Sequence, residues 1–304
     1  METERERAFQ RALALIAQGK NQEAREQLSR LVEESPHWVE ARLTLGVLLG
    51  TLGERTAAEE HLRYGLEHLE AVPRLSRETL RAQLLLNLAV LALERDDWKD
   101  VYGWEEEFAG LRETFQREGL LERAASVLFD AANRAVRDGE PTRGRTLYER
   151  ALELDPDFAE AWYNLAVLEA QDEELEQAMF HLERAIAAEP ALAEAQFLLG
   201  SLLLPQDPER AVQLMEGAVA LQPENVQWIT LLGSAYARRR DFQRAREFFA
   251  RALSLDPEYA DAHLGYAIAS RALGDMESAR YALGRAFELN PQLAKQVRAM
   301  MEEL

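Results

Sequence analysis

The chain has 304 residues, of which 47% are apolar, and a net charge of -19 from 54 acids and 35 bases. That apolar share supports a continuous core and excludes a disordered chain. The absence of cysteine excludes disulfides, thiol catalysis, Cys-ligated zinc and iron–sulfur clusters, and the acidic balance argues against binding phosphate backbones or anionic lipid.

The first helix begins behind Thr3-x-x-Glu6, a capping-box signal. The charged start METERERAFQ leads straight into an amphipathic pattern, without the basic start and apolar run of a signal peptide. No stretch approaches the ~20 apolar residues of a membrane span; the longest, Leu84–Leu93, is broken by Asn87. The expectation is a soluble, cytoplasmic chain without membrane insertion. Lysine occurs only at Lys20, Lys99 and Lys295, a bias that by itself assigns no function.

Gly19-Lys20 then marks a turn, followed by Ala24, Leu28, Leu31 and Pro36. Residues 39–72 repeat the pattern with Leu45-Gly46, Leu49, Gly53-Glu54, Ala58 and Leu62. Residues 73–124 depart from it. Two lengthened helices, Ser76–Arg95 and Asp97–Gln116, absorb the excess length, with Leu85, Leu88, Ala89 and Ala92 on one face of the first.

From residue 125 onward the period is explicit. Pro156, Pro190, Pro223, Pro257 and Pro291 each follow a helix end, at spacings of 34, 33, 34 and 34 residues. Proline cannot continue a helix and pushes its predecessor out of the α region, so it punctuates the same joint in every unit. Between prolines, Trp162-x-x-Leu165-Ala166 precedes Ala178, Leu182 and Ala185. Ile229-x-x-Leu232-Gly233-x-x-Tyr236 likewise precedes Ala245, Phe249 and Ala252, and His263-x-x-Tyr266-Ala267 precedes Ala279, Leu283 and Ala286. Spacings of three and four put these residues on one helical face. Turns at Gly139-Glu140, Arg240-Asp241 and Gly274-Asp275 split each unit into two helices. Glycine or alanine at the eighth place and alanine at the twentieth let those helices approach closely.

This pattern resembles the tetratricopeptide repeat, W-x2-L-G-x2-Y…A-x3-F…P over 34 residues. The resemblance implies an all-α fold: a right-handed α-solenoid superhelix of about eight helix-turn-helix units. Their approximate bounds are 5–38, 39–72, the irregular 73–124, 125–158, 159–192, 193–225, 226–259 and 260–293. A C-terminal capping helix over 294–304 completes a single array, with Val297, Met300, Met301 and Leu304 at helical spacing behind a polar face.

Catalytic chemistry is missing. There is no P-loop or dinucleotide fingerprint, and Gly233-Ser234 lacks the spacing of a nucleophile elbow. The five histidines, His37, His61, His68, His181 and His263, show no metal-ligand spacing. His61 and His68, seven apart beside Glu60 and Glu67, read as solvated. Asp172-Glu173-Glu174 lacks the twelve-residue calcium-loop pattern and reads as a solvated turn. The expectation is a non-enzyme without cofactor or metal.

The resemblance also implies where a ligand sits: on a concave face lined by the second, fifth, ninth, twelfth and thirteenth places of each first helix. Carried over from residue 125 onward, and with Asn164 added, the peptide groove comprises Phe129, Asn133, Tyr163, Asn164, Val167, Phe197, Ser201, Thr230, Ser234, Arg238, Leu264, Ile268 and Arg271. Phe129, Tyr163 and Phe197 share the fifth place. They form either an aromatic ladder for an apolar anchor or rings packed on neighbouring first helices. Asn133 and Asn164 occupy the asparagine places of the family's terminal-carboxylate clamp. Its basic places hold Phe129, Glu194 and Leu198, so clamp binding is rejected. Residues 226–293 carry nine arginines against eight acids, with Arg238-Arg239-Arg240 ending a first helix beside Arg271 in the next unit. These arginines either compensate helix dipoles or anchor an anionic end of a ligand. The leading expectation is a non-catalytic scaffold that binds a peptide or helix of a partner protein, with no nucleic acid. The second is a homo-oligomeric, self-assembling module of a larger bacterial-type complex, with Trp98, Trp104 and Phe108 exposed for contact.

Overall fold

The computed structural model describes residues 3–293, and all regular structure among them is helical. By packing, the chain divides into two compact units, 1–161 and 162–304. The expected capping helix over 294–304 lies outside the described residues.

The first unit opens with α1 (Glu4–Ala17) and α2 (Asn21–Glu34), then α3 (Val39–Thr51) and α4 (Arg55–Glu67). A 3-10 turn at Leu69–Ala71 leads into α5 (Arg74–Glu94), and three short helices follow: α6 (Trp98–Tyr102), α7 (Glu105–Gly110) and α8 (Arg112–Glu118). The pair α9 (Leu121–Arg137) and α10 (Pro141–Leu154) closes the unit. The division falls in the first turn of α11 (Ala159–Gln171). The second unit continues with α12 (Leu175–Ala188), α13 (Ala193–Leu203), α14 (Pro208–Leu221), α15 (Val226–Arg238), α16 (Phe242–Leu255), α17 (Ala260–Ala272) and α18 (Met276–Leu289).

Local chemistry starts these helices. Thr3 Oγ1 accepts from the Glu6 amide at 3.2 Å while the Thr3 amide donates to Glu6 Oε2 at 2.6 Å, completing the capping box. Asp207, Asn225, Asp241 and Asp275 each accept from the amide three residues on. Pro141 and Pro208 take the first helical position, where a missing N–H costs nothing.

Small residues then bring paired helices together. Ala12, Ala24, Ala58, Ala178, Ala245 and Ala279 are completely buried. Gly144 replaces alanine on α10, because a Cβ there would stand 2.4 Å from Val136 Cγ2. Gly46 makes room for Leu62 in the same way.

The third repeat differs from expectation. Its first helix, α5, is long, but the expected second helix over Asp97–Gln116 is broken at Gly103 and Gly110 into α6, α7 and α8. Glycine is costly inside a helix, and the breaks leave Trp98, Val101, Phe108, Leu111 and Phe115 all buried. Trp98 Nε1 donates to Asp138 Oδ2 at 2.8 Å. Trp98 and Phe108 therefore form core rather than the exposed surface expected of them. The next repeat also begins earlier than residue 125, since α9 starts at Leu121.

Seven of the eight repeats turn through one left-handed residue, whereas the turn between α13 and α14 does without one. Gly19, Gly53, Gly139 and Gly274 supply it at φ of 74° to 83°. Asp96, Glu173 and Arg240 occupy the same joint at φ of 61° to 62°. A side chain there is strained by roughly 1–2 kcal/mol. Glu173→Gly and Arg240→Gly are each expected to stabilise the chain by about 0.5–1 kcal/mol after the entropy gained by the unfolded chain is deducted, measured by urea denaturation. Asp96 is a poorer test, because it pairs with Arg134 at 3.0 Å and Arg137 at 2.8 Å.

The abundant arginine acquires a structural role. Arg25–Glu54 and Arg55–Glu94 link successive repeats in the first unit at 2.8 Å. Arg210–Glu183 at 2.7 Å and Arg239–Glu209 at 3.2 Å do so in the second. Such exposed pairs are worth about 0–1 kcal/mol each, so apolar burial carries the stability.

Candidate functional site

The expected groove residues fall into different environments. In the first unit, Phe129 is half-buried, with ring centroids 4.7 Å from Phe158 and 5.8 Å from Tyr148. Asn133 Oδ1 accepts from the Tyr148 hydroxyl at 2.5 Å, which ties the amide to α10.

In the second unit, Phe197 is only 7% exposed and lies flat against Trp228 of the next first helix, at 4.6 Å and 7°. Thr230 and Leu264 are also buried. These three therefore contribute packing more than open surface. The Ser201, Thr230 and Ser234 hydroxyls donate to the carbonyls four residues back, of Phe197, Val226 and Thr230, at 2.8–3.1 Å. Tyr163, Asn164, Val167, Ile268 and Arg271 are half-exposed, and Arg238 is exposed.

The structure nevertheless brings four expected residues together. Tyr163 and Val167 of α11, with Phe197 and Ser201 of α13, line a hollow of about 430 Å3. Glu194 of α13, Gln171 of α11 and Trp228 of α15 complete its wall. Glu194 Oε1 accepts from Gln222 Nε2 at 2.7 Å. Burial raises the Tyr163 phenol pKa above its ordinary value, and the Glu194 charge raises it further.

A larger hollow, of about 530 Å3, lies among the first helices of the first unit. Leu13 and Ile16 of α1, Leu43 and Val47 of α3, and Leu86 of α5 make it apolar. Thr44, Thr51, Gln83 and Asn87 supply hydroxyls and amides around it, and Arg123 at the start of α9 donates to Asn87 Oδ1 at 3.3 Å. Val47 is 38% exposed. This hollow was absent from the expected site, although Leu13, Ile16, Leu43, Val47 and Thr51 hold the same register places in the first two repeats. Trp228 escaped for another reason: it stands one place ahead of the repeat's aromatic position, which Ile229 fills.

The histidines are more engaged than the sequence suggests. Tyr64 of α4 is stacked on His68 at 3.9 Å and 6°, and the Arg42 guanidinium lies 3.6 Å from the Tyr64 ring centre. His61 Nδ1 lies 3.1 Å from Arg42 Nη1; burial and, second, that positive charge push its pKa down. In the second unit His181 Nδ1 lies 2.7 Å from Glu169, a carboxylate 4% exposed, under the Trp162 ring. Among the described residues no group of three His, Asp or Glu could hold a metal ion, and no helix is long and apolar enough to cross a membrane.

Stacked helix pairs joined by short turns, with first helices framing a hollow, define a helical repeat protein. Tetratricopeptide-repeat family profiles match residues 9–76, 129–191, 205–260 and 237–304, and the chain belongs to that family. A Caenorhabditis elegans tetratricopeptide repeat-containing protein, trd-1, is 23% identical over 190 residues, or 60% of this chain. The matched stretch spans only 25% of that longer protein. Among solved structures, YrrB, described as a TPR protein with an unusual peptide-binding site, superposes with a TM-score of 0.54 at 24% identity, covering 59% of this chain and 92% of YrrB. MamA from Desulfovibrio magneticus RS-1 gives 0.51 at 21% identity, covering 55% of this chain and 96% of MamA. Both likenesses speak to the fold alone.

Proposed function

We propose that the chain is a non-catalytic scaffold that holds a segment of a partner protein against its first-helix faces. The observation that carries this reading is the hollow framed by α1, α3 and α5. It combines an apolar surface with amide and hydroxyl groups that can meet a peptide backbone, the usual make-up of a site for an apolar anchor. Neither hollow pairs a nucleophile with a base, which favours binding over chemistry. YrrB's peptide-binding site lends support by analogy of fold only. The burial of Trp98 and Phe108 weakens self-assembly through the third repeat.

The test is affinity capture with wild type, Val47→Glu and Trp228→Ala. Neither side chain is fully buried, so folding should survive both changes. Phe197→Ala is unsuitable, because it would open a cavity. The expected outcome is loss of a partner by tenfold or more with at least one variant, measured by quantitative mass spectrometry. Retention of every partner by both would reject the reading.

A further inference from the structure

We propose that the hollow of the second unit recognises a guanidinium group, so that the segment it holds carries an arginine. This rests on the scaffold reading and adds the chemistry of the partner. Three aromatic rings, Tyr163, Phe197 and Trp228, meet one carboxylate, Glu194, and no lysine, arginine or histidine lines the hollow. Rings around a carboxylate suit a cation, because aromatic faces attract positive charge and the carboxylate neutralises it.

Glu194 is not already spent. Its partner is a neutral amide on Gln222, which takes Oε1, and it makes no ion pair among the described residues. The Tyr163 hydroxyl likewise has no hydrogen-bond partner among the described residues, and its phenol titrates high because it is half-buried beside Glu194. Phe197 covers Trp228 in a flat stack, holding the indole as a rigid platform that remains half-exposed.

The surroundings reinforce the sign. Residues 162–225 contain twelve acids and two arginines. Of those arginines, Arg210 pairs with Glu183 and Arg184 lies over the Trp162 ring at 5.7 Å. The potential is therefore negative and draws a cationic segment in. A planar guanidinium stacks on the flat indole and meets a carboxylate through two N–H groups, which an ammonium cannot do. A terminal carboxylate, the ligand of the family's clamp, would be repelled by Glu194.

The test starts from twelve-residue peptides selected on the full chain from a random display library. An enriched peptide is then synthesised with arginine, lysine or citrulline at each cationic position. Affinities are measured by fluorescence anisotropy against wild type, Glu194→Gln, Trp228→Ala and Val47→Glu. Glu194→Gln keeps an oxygen acceptor for Gln222, and circular dichroism checks its fold.

Enriched peptides are expected to contain arginine. Citrulline, a neutral isostere, and Glu194→Gln should each weaken binding about tenfold, and the arginine–citrulline difference should vanish in Glu194→Gln. Equal binding of citrulline, equal binding of lysine, or a difference that survives Glu194→Gln overturns the proposal. If such peptides still lose affinity with Trp228→Ala, the scaffold reading stands and only the arginine assignment falls. If no enriched peptide responds to Trp228→Ala or Val47→Glu, both fall.

Discussion

Phe249→Ala is expected to destabilise the second unit by about 3–5 kcal/mol, the range for truncating a buried phenylalanine. Phe249 sits on α16 and is 1% exposed. Its ring fills a slot that two glycines open from neighbouring first helices. A Cβ at Gly233 on α15 would stand 3.0 Å from Phe249 Cε1, and one at Gly265 on α17 only 2.3 Å. Such a tailored slot leaves little freedom to collapse around alanine, which places the loss toward the upper end. Phe249→Leu keeps most of the volume and should cost about 1.5 kcal/mol or less. Urea denaturation measures both. Hydrogen exchange should show α15, α16 and α17 losing protection together, because each repeat leans mainly on its neighbours. A loss under 1 kcal/mol for alanine would mean that the ring does not seat between those glycines.

Gly200→Val is the second large effect, expected at about 1–3 kcal/mol or more from overpacking. A Cβ at Gly200 on α13 would lie 2.7 Å from Met215 Cγ and 2.8 Å from the Ala211 carbonyl oxygen on α14. The methionine can move aside, but the carbonyl belongs to a helix backbone and cannot. The two helices must separate, or the second must shift along its axis. Gly284→Ala on α18 is the matched control. Nothing lies within 4 Å of its added Cβ, so helix propensity should make it stabilising by up to about 1 kcal/mol. Opposite signs at two helical glycines would separate close approach from backbone entropy as the reason for each.

The repeat architecture was legible because it is written in local chemistry. Proline at 33- to 34-residue spacing, small residues at the helix crossings and the Thr3 capping box each act within a few residues of themselves. The third repeat was legible only as an irregularity. Gly103 and Gly110 mark its breaks, but only packing against a core that includes Trp98 and Phe115 makes three short helices better than one long one. The site was half legible. Register places found Tyr163, Val167, Phe197 and Ser201, which do line one hollow. Register does not tell which ring covers another, so it left Phe197 between open surface and packing on a neighbouring first helix; Trp228, thirty-one residues on, lies against it. The first-unit hollow was missed because the carry-over began at residue 125, not because the signal was absent. Leu13, Ile16 and Val47 carry it plainly.

The contrast between Trp98 and Trp228 has an optical consequence. Trp98, 1% exposed and hydrogen-bonded to Asp138, is shielded from solvent dipoles and is expected to emit toward the blue. Trp228 stands at the wall of the second hollow, where an occupant would change the polarity around its indole. Of the five tryptophans, Trp228 is thus the one whose surroundings an occupant of the second hollow would change directly, which makes its emission a native readout of the proposed binding surface.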